Sequence, residues 1–118
     1  MHLVENTKAR KFHFPGLVQQ TLAGPEHGMK TLEVWQVTLA PGAEMPPYHH
    51  NSDVAWITLR GTGEAIIAEE RVALKPDTTL NIPPYVIRQV TNTGVDDLVI
   101  LVIRGLVPVP RPATLEQP

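Results

Sequence analysis

Proline and glycine recur along this chain at intervals too short for a helical period to establish itself. Twelve prolines and eight glycines fall as punctuation: Pro15-Gly16, Gly24-Pro25, Pro41-Gly42, Pro46-Pro47, Gly61-Thr62-Gly63, Pro76-Asp77 and Pro83-Pro84. Proline fixes φ and removes a backbone donor, and glycine opens the left-handed region, so each cluster marks a turn. Between the clusters lie short segments rich in Val, Ile, Leu and Thr. Turns at this pace around β-branched segments predict an all-β sandwich or barrel.

The segments can be placed one by one. Thr31 to Leu39 (TLEVWQVTL) is a strong strand, rich in Val, Thr and Trp. Leu17 to Thr21 is a shorter one, and Glu26-His27-Gly28 reads as a hairpin loop. Strands are then expected over Val54 to Leu59, Glu64 to Ala68, Arg71 to Leu74, Thr78 to Ile82, Val86 to Thr91 and Leu98 to Arg104. Pro83-Pro84 interrupts the series, since neither residue donates to a ladder. Residues 1–15 form an arm or an edge strand, with Lys8 to Lys11 as a solvated basic face. Pro108, Pro110 and Pro112 give residues 106–118 an extended, polyproline-like character. That tail is either disordered or laid across a partner subunit.

Composition removes several classes of function. A chain of 118 residues makes one domain, and 42% hydrophobic residues suffice for a core. The net charge of −2 and the lack of a long basic run give no footprint for nucleic acid. The absence of cysteine rules out disulfides, thiolate catalysis and zinc–thiolate sites, and suits a cytoplasmic protein. The first residues carry no basic-then-apolar leader pattern. The longest apolar run, Leu98 to Ile103, is far too short to span a bilayer and reads as a buried strand.

Two framed motifs then stand out. Gly42 and Gly61 bracket Tyr48-His49-His50-Asn51-Ser52-Asp53, with Pro41 and Pro46 ahead of the histidines. Further on, Pro83 and Asn92 keep a fixed spacing, with Asp77 following Pro76. Spacing and order resemble the two motifs of the cupin superfamily over residues 31–104. The resemblance implies a cupin double-stranded β-helix, a jelly-roll-like antiparallel barrel, with residues 1–118 as a single cupin domain.

Cupins that hold a metal use two histidines and a glutamate from the first motif and a histidine from the second. Here those positions read Tyr48, His50, Val54 and Arg88. Only His50 matches. Val54 offers no lone pair, and the permanent charge of Arg88 repels a cation. No cofactor is therefore firmly expected.

Residues two apart on a strand share a face. Tyr48 and His50 are then expected to point inward and His49 outward. In the alternative, a bulge near Pro46-Pro47 shifts the register and brings His49 inward. Asp53 then becomes a substitute carboxylate, and His49, His50 and Asp53 resemble a two-histidine, one-carboxylate site for iron, manganese, nickel or zinc. An inward Arg88 needs an anion, because an unpaired buried cation is costly. Asp53 or Glu33 would make a structural ion pair; a carboxylate, enolate or phosphate on a ligand would make a binding site. Trp35 and Trp56 either pack in the core or line the pocket.

Three functions follow as alternatives. The first is a site for a small anionic organic molecule, with metal-independent isomerase, cyclase or lyase chemistry using Tyr48 and His50 as acid and base. The second is a metal-dependent oxygenase built on His49, His50 and Asp53. The third is a non-catalytic binding or sensor module. Small cupins often pair through edge strands, so a homodimer is expected.

Overall fold

The computed structural model describes residues 1–111. Ten strands follow in chain order: β1 Lys11–Phe14, β2 Leu17–Ala23, β3 Leu32–Leu39, β4 Glu44–Tyr48, β5 Val54–Arg60, β6 Gly63–Ile67, β7 Glu70–Leu74, β8 Thr78–Ile82, β9 Arg88–Asn92 and β10 Leu98–Gly105. They form a six-stranded sheet, β1-β2-β3-β10-β5-β8, and a four-stranded sheet, β4-β9-β6-β7. Every strand pair is antiparallel. This is the cupin barrel. Among the described residues the only helices are two 3-10 turns, Asn6–Lys8 and Pro25–His27, and no helix is long and apolar enough to cross a membrane.

The core follows from period-two alternation. Val37 and Leu39 on β3, Val54 and Trp56 on β5, Ala65 on β6, Val90 on β9, and Leu98, Ile100 and Val102 on β10 are buried in one cluster. Each buried aliphatic side chain contributes ~1.5–3 kcal/mol by leaving water. β10 lies between β3 and β5 at the centre of the larger sheet, which explains its nearly uninterrupted apolar sequence.

Three elements differ from the sequence expectation. Glu44–Tyr48 is a strand although it contains Pro46 and Pro47. It sits at the edge of its sheet, where missing N–H groups face no neighbour. β9 starts at Arg88 rather than Val86 because Tyr85 takes a left-handed conformation, φ 66°, and turns the chain first. The C-terminal segment is anchored as far as it is described. Leu106 N–H donates to the Thr31 carbonyl at 2.9 Å and Val109 N–H to the Asn51 carbonyl at 2.7 Å. Tyr85 Oη donates to the Val109 carbonyl, and the Arg111 guanidinium lies 4.1 Å from the Tyr85 ring centroid. Residues 106–111 thus lie on this chain's own barrel, in place of a disordered tail. Pro112 and the rest of the tail lie outside the described residues. At the other end, Lys11–Phe14 is an edge strand, and Gln20 Nε2 donates to the Asn6 carbonyl, 3.0 Å away, holding the arm.

The framing residues are structural. Asn92 Nδ2 donates to the carbonyls of Leu39 and Asp96, both at 2.8 Å, while its Oδ1 accepts from Gly94 N–H. Gly61 has φ +84°, and a Cβ there would strike the Asp97 carbonyl oxygen and lie 2.8 Å from Leu98 Cα. Gly42 has φ +80° with open space around it. Gly42→Ala should therefore cost only the left-handed penalty, ~1–2 kcal/mol. Gly61→Ala adds a backbone collision and should cost at least ~1 kcal/mol more. Urea unfolding of the two variants checks the difference; equal losses would contradict the collision.

Candidate functional site

The placement of the site begins with one extra residue in β4. Met45 pairs with Val90, but the next aligned pair is Tyr48 with Arg88. Three steps along β4 oppose two along β9, so Pro46-Pro47 carries a bulge. Met45 packs against the core. Unbroken alternation from Met45 would carry Pro47 and His49 inward; the bulge turns Tyr48 and His50 inward instead. Tyr48 and His50 therefore face inward and His49 outward, as the strand reading expected, and the alternative of a bulge that brings His49 inward is not what this bulge does. His49 is exposed, with its ring 6.4 Å from that of Tyr85.

His50 lies in the loop between β4 and β5, which is fastened at three points. The His50 carbonyl accepts from Tyr85 N–H at 2.8 Å, the Asn51 carbonyl accepts from Val109, and Ser52 Oγ donates to the Gly105 carbonyl. The His50 ring stands edge-on to Tyr48 at 5.1 Å and to Trp35 at 6.3 Å. Arg104 Nη1 lies 2.9 Å from His50 Nδ1. Arg104 Nη2 lies 2.8 Å from Glu33 Oε1, and its guanidinium carbon is 5.3 Å from the Trp35 ring centroid. The Glu33 and Arg104 charges therefore cancel locally.

Arg88 enters from β9 and is wholly buried, at 0% exposure. Its Nε donates to the Val86 carbonyl at 2.9 Å, and Nη2 donates to those of Val86 and Pro83 at 2.7 and 3.3 Å. The guanidinium carbon is 5.7 Å from the Tyr48 ring centroid. Neither acid expected beside it is there: Glu33 is paired with Arg104, and Asp53 is exposed, using its backbone carbonyl to accept from Gly105. Among the described residues, Nη1 of Arg88 has no hydrogen-bond partner.

Around the Tyr48 ring, four buried polar atoms lack a protein hydrogen bond: Tyr48 Oη, His50 Nε2, Trp56 Nε1 and Arg88 Nη1. The Trp56 indole approaches the Tyr48 hydroxyl without good hydrogen-bond geometry. Thr58 Oγ1, two residues beyond Trp56 on β5, is also unpaired. Desolvation pushes the Tyr48 hydroxyl up to about 12 despite the attraction of Arg88. Burial, then the charges of Arg104 and Arg88 and the neighbouring His49, pull the His50 imidazole down to about 4. Burial also lowers Arg88, though a guanidinium stays charged. At neutral pH the site thus holds a neutral imidazole, an intact phenol and one cation without a carboxylate.

The donor set does not fit a divalent metal. Among the described residues no group of three or more His, Cys, Asp or Glu side chains converges. His49 and Asp53 lie outside the barrel, Val54 is core, and Arg88 stands opposite Tyr48. Two large concavities lie away from these side chains. One of about 620 Å³ lies on the outer face of the smaller sheet beside Ile66, Tyr85 and Ile87, and one of about 370 Å³ lies beside Asp53 and Asn81.

Sequence reasoning singled out Tyr48, His50, Arg88, Trp35 and Trp56, which the structure brings near one another; it did not mark Arg104, and Glu33, offered there as one possible partner of Arg88, pairs with Arg104 instead. The alternation Leu98, Ile100, Val102, Arg104 already carried the signal for an inward Arg104. The Glu33–Arg104 pairing depends on β3 and β10 placing the two residues opposite each other, which no local pattern reveals.

Solved structures share this architecture. KdgF from Halomonas sp. superposes with a TM-score of 0.75 at 20% identity, covering 98% of this chain and 97% of that one. The polyketide cyclase RemF from Streptomyces resistomycificus gives 0.80 at 16% identity, covering 93% and 82%. At such identities the likeness defines the cupin fold alone. The family is set by sequence: residues 2–111 match the model of the family described as auxin binding protein, and the chain belongs to that family. Auxin-binding protein 1 of Arabidopsis thaliana is 38% identical over 105 residues, 80% of this chain and 53% of that protein. Auxin-binding protein T85 of Nicotiana tabacum is 34% identical over 106 residues, 80% and 57% respectively. The chain spans about half the length of the curated relatives it matches.

The His50 shift has a definite sign. Unfolded, the imidazole takes a proton near its ordinary 6.5; folded, only near about 4. Between those values the unfolded state binds more protons, so this contribution to stability falls as pH drops from about 6.5 to about 4 and is flat below. His50→Gln should weaken the decline in denaturation experiments across that window, and the native ring should titrate near 4 by NMR. A midpoint above 6 would contradict this account.

Proposed function

We propose that the mouth of this barrel binds a small organic acid without a metal, its carboxylate facing Arg88 and its body lying against Trp35, Trp56 and Tyr48. One observation carries the reading: Arg88 is fully buried and, among the described residues, has no carboxylate beside it and no partner for Nη1. Burying an uncompensated cation is costly, and a bound anion relieves that cost while accepting the unused donors. With Glu33 and Arg104 cancelling, the site carries one net positive charge, which one carboxylate neutralises. The relatives' names point the same way, since they are called auxin-binding proteins.

Binding rather than turnover is the better-supported role. A phenol raised to about 12 is a weak acid, and an imidazole lowered to about 4 is a weak base. Tyr48 and His50 serve in this reading as hydrogen-bond donors to the ligand. Pairing of two copies through the exposed β1 edge belongs to the same proposal, supported by the half-exposed Phe14 on that strand.

Calorimetry with an arylacetate series and the matching amides tests the reading. The acids should bind at neutral pH with metal chelators present, and the amides should bind far more weakly. Arg88→Met should weaken acid binding roughly 100-fold, ~3 kcal/mol, with the far-UV spectrum unchanged. Acid binding that needs added zinc, or that survives Arg88→Met, would sink the proposal.

A further inference from the structure

We propose that Arg104 is a positioning residue that holds His50 in its Nε2–H tautomer, and so makes the barrel mouth select carboxylates over amides and over metal ions. Arg104 Nη1 lies 2.9 Å from His50 Nδ1. A guanidinium has five donors and no acceptor. The contact is a hydrogen bond only if Nδ1 presents its lone pair. In a neutral imidazole the proton then sits on Nε2, and Nε2 is the buried nitrogen without a protein partner.

Arg104 is itself held from two sides. Glu33 Oε1 lies 2.8 Å from its other terminal nitrogen, and the Trp35 ring lies against the guanidinium at 5.3 Å. Glu33, Arg104 and His50 thus form a chain reaching from β3 through β10 to the loop after β4. Glu33 holds Arg104 in place by charge, and Arg104, which can only donate, fixes Nδ1 of His50 as the acceptor.

Two consequences follow for the ligand. His50 Nε2–H, Trp56 Nε1–H and Arg88 Nη1 are obligate donors, and the Tyr48 hydroxyl can donate beside them. A carboxylate accepts from all of them, whereas an amide brings an N–H₂ group that finds few acceptors. A metal ion is refused for a separate reason: the single imidazole lone pair is occupied by Arg104, and Nε2 offers a proton where a ligand would offer electrons. The tautomer stands on the geometry alone, while the choice of carboxylate rests on the binding function proposed above.

The tautomer can be read directly by long-range ¹H–¹⁵N NMR on the ligand-free protein near pH 7. His50 should show a protonated Nε2 and a lone-pair Nδ1. The opposite tautomer, a rapidly averaging pair or a charged ring would overturn the proposal. The double variant Arg104→Met, Glu33→Gln removes the lock without stranding a carboxylate. It should show mixed tautomers, and its preference for an arylacetate over the matching amide should fall about tenfold. Arg104→Lys, which still donates, should recover the tautomer and most of the preference. A pure Nε2–H tautomer in the double variant, or an unchanged preference, would refute the role given to Arg104. If the expected tautomer is found but no arylacetate binds the native protein, the binding function and the selectivity fall while the tautomer lock is supported.

Discussion

A guanidinium buried inside the barrel, with no carboxylate beside it among the described residues, governs the mouth of this protein. Water would solvate that charge strongly, and the protein replaces water only in part. Three hydrogen bonds to the carbonyls of Val86 and Pro83 and the face of Tyr48 take up one side of Arg88. Those carbonyls belong to the turn just before β9, so the charge also braces the segment that carries it. Tyr48, His50 and Trp56 each also carry one buried polar atom without a protein partner. Four of the unpartnered buried polar atoms thus lie near one another, where a single acceptor-rich group would serve several of them.

The second arginine shows how differently the same residue type can be used. Arg104 has its acid, Glu33, and spends its remaining reach on His50. Its charge is thereby neutralised, and its influence passes to the imidazole as a constraint on which nitrogen holds the proton. One guanidinium supplies charge and the other supplies direction. Neither arrangement suits a divalent cation, which separates this mouth from the metal-holding pattern that the cupin motifs bring to mind.

The geometry beneath both arginines depends on one surplus residue. Pro46-Pro47 cannot support a regular ladder, and β4 yields there by one position. That slip exchanges the faces of everything after it. Tyr48 and His50 enter the barrel, and His49 leaves it. The edge position of β4 makes the slip cheap, because no neighbouring strand on the outer side has to follow.

Much of the fold was legible in the primary structure because its determinants are local. Prolines and glycines set the turns, period-two alternation set the faces, and the spacing of Gly42, Gly61, Pro83 and Asn92 set the family of barrel. Tyr48, His50 and Arg88 were singled out the same way, from spacing within single motifs. What depends on two strands meeting was not legible. The alignment of Glu33 with Arg104 across β3 and β10 is a fact of register. So is the separation of Asp53 from Arg88, which leaves the carboxylate exposed and the guanidinium buried, so that the ion pair offered as one possibility does not form. The direction of the β4 bulge was likewise undecided, since a proline pair announces a break without saying which face gains. Local chemistry chose the barrel and its inward residues; long-range pairing chose which charges cancel and which remains, because electrostatic energy depends on distances that only the closed barrel defines.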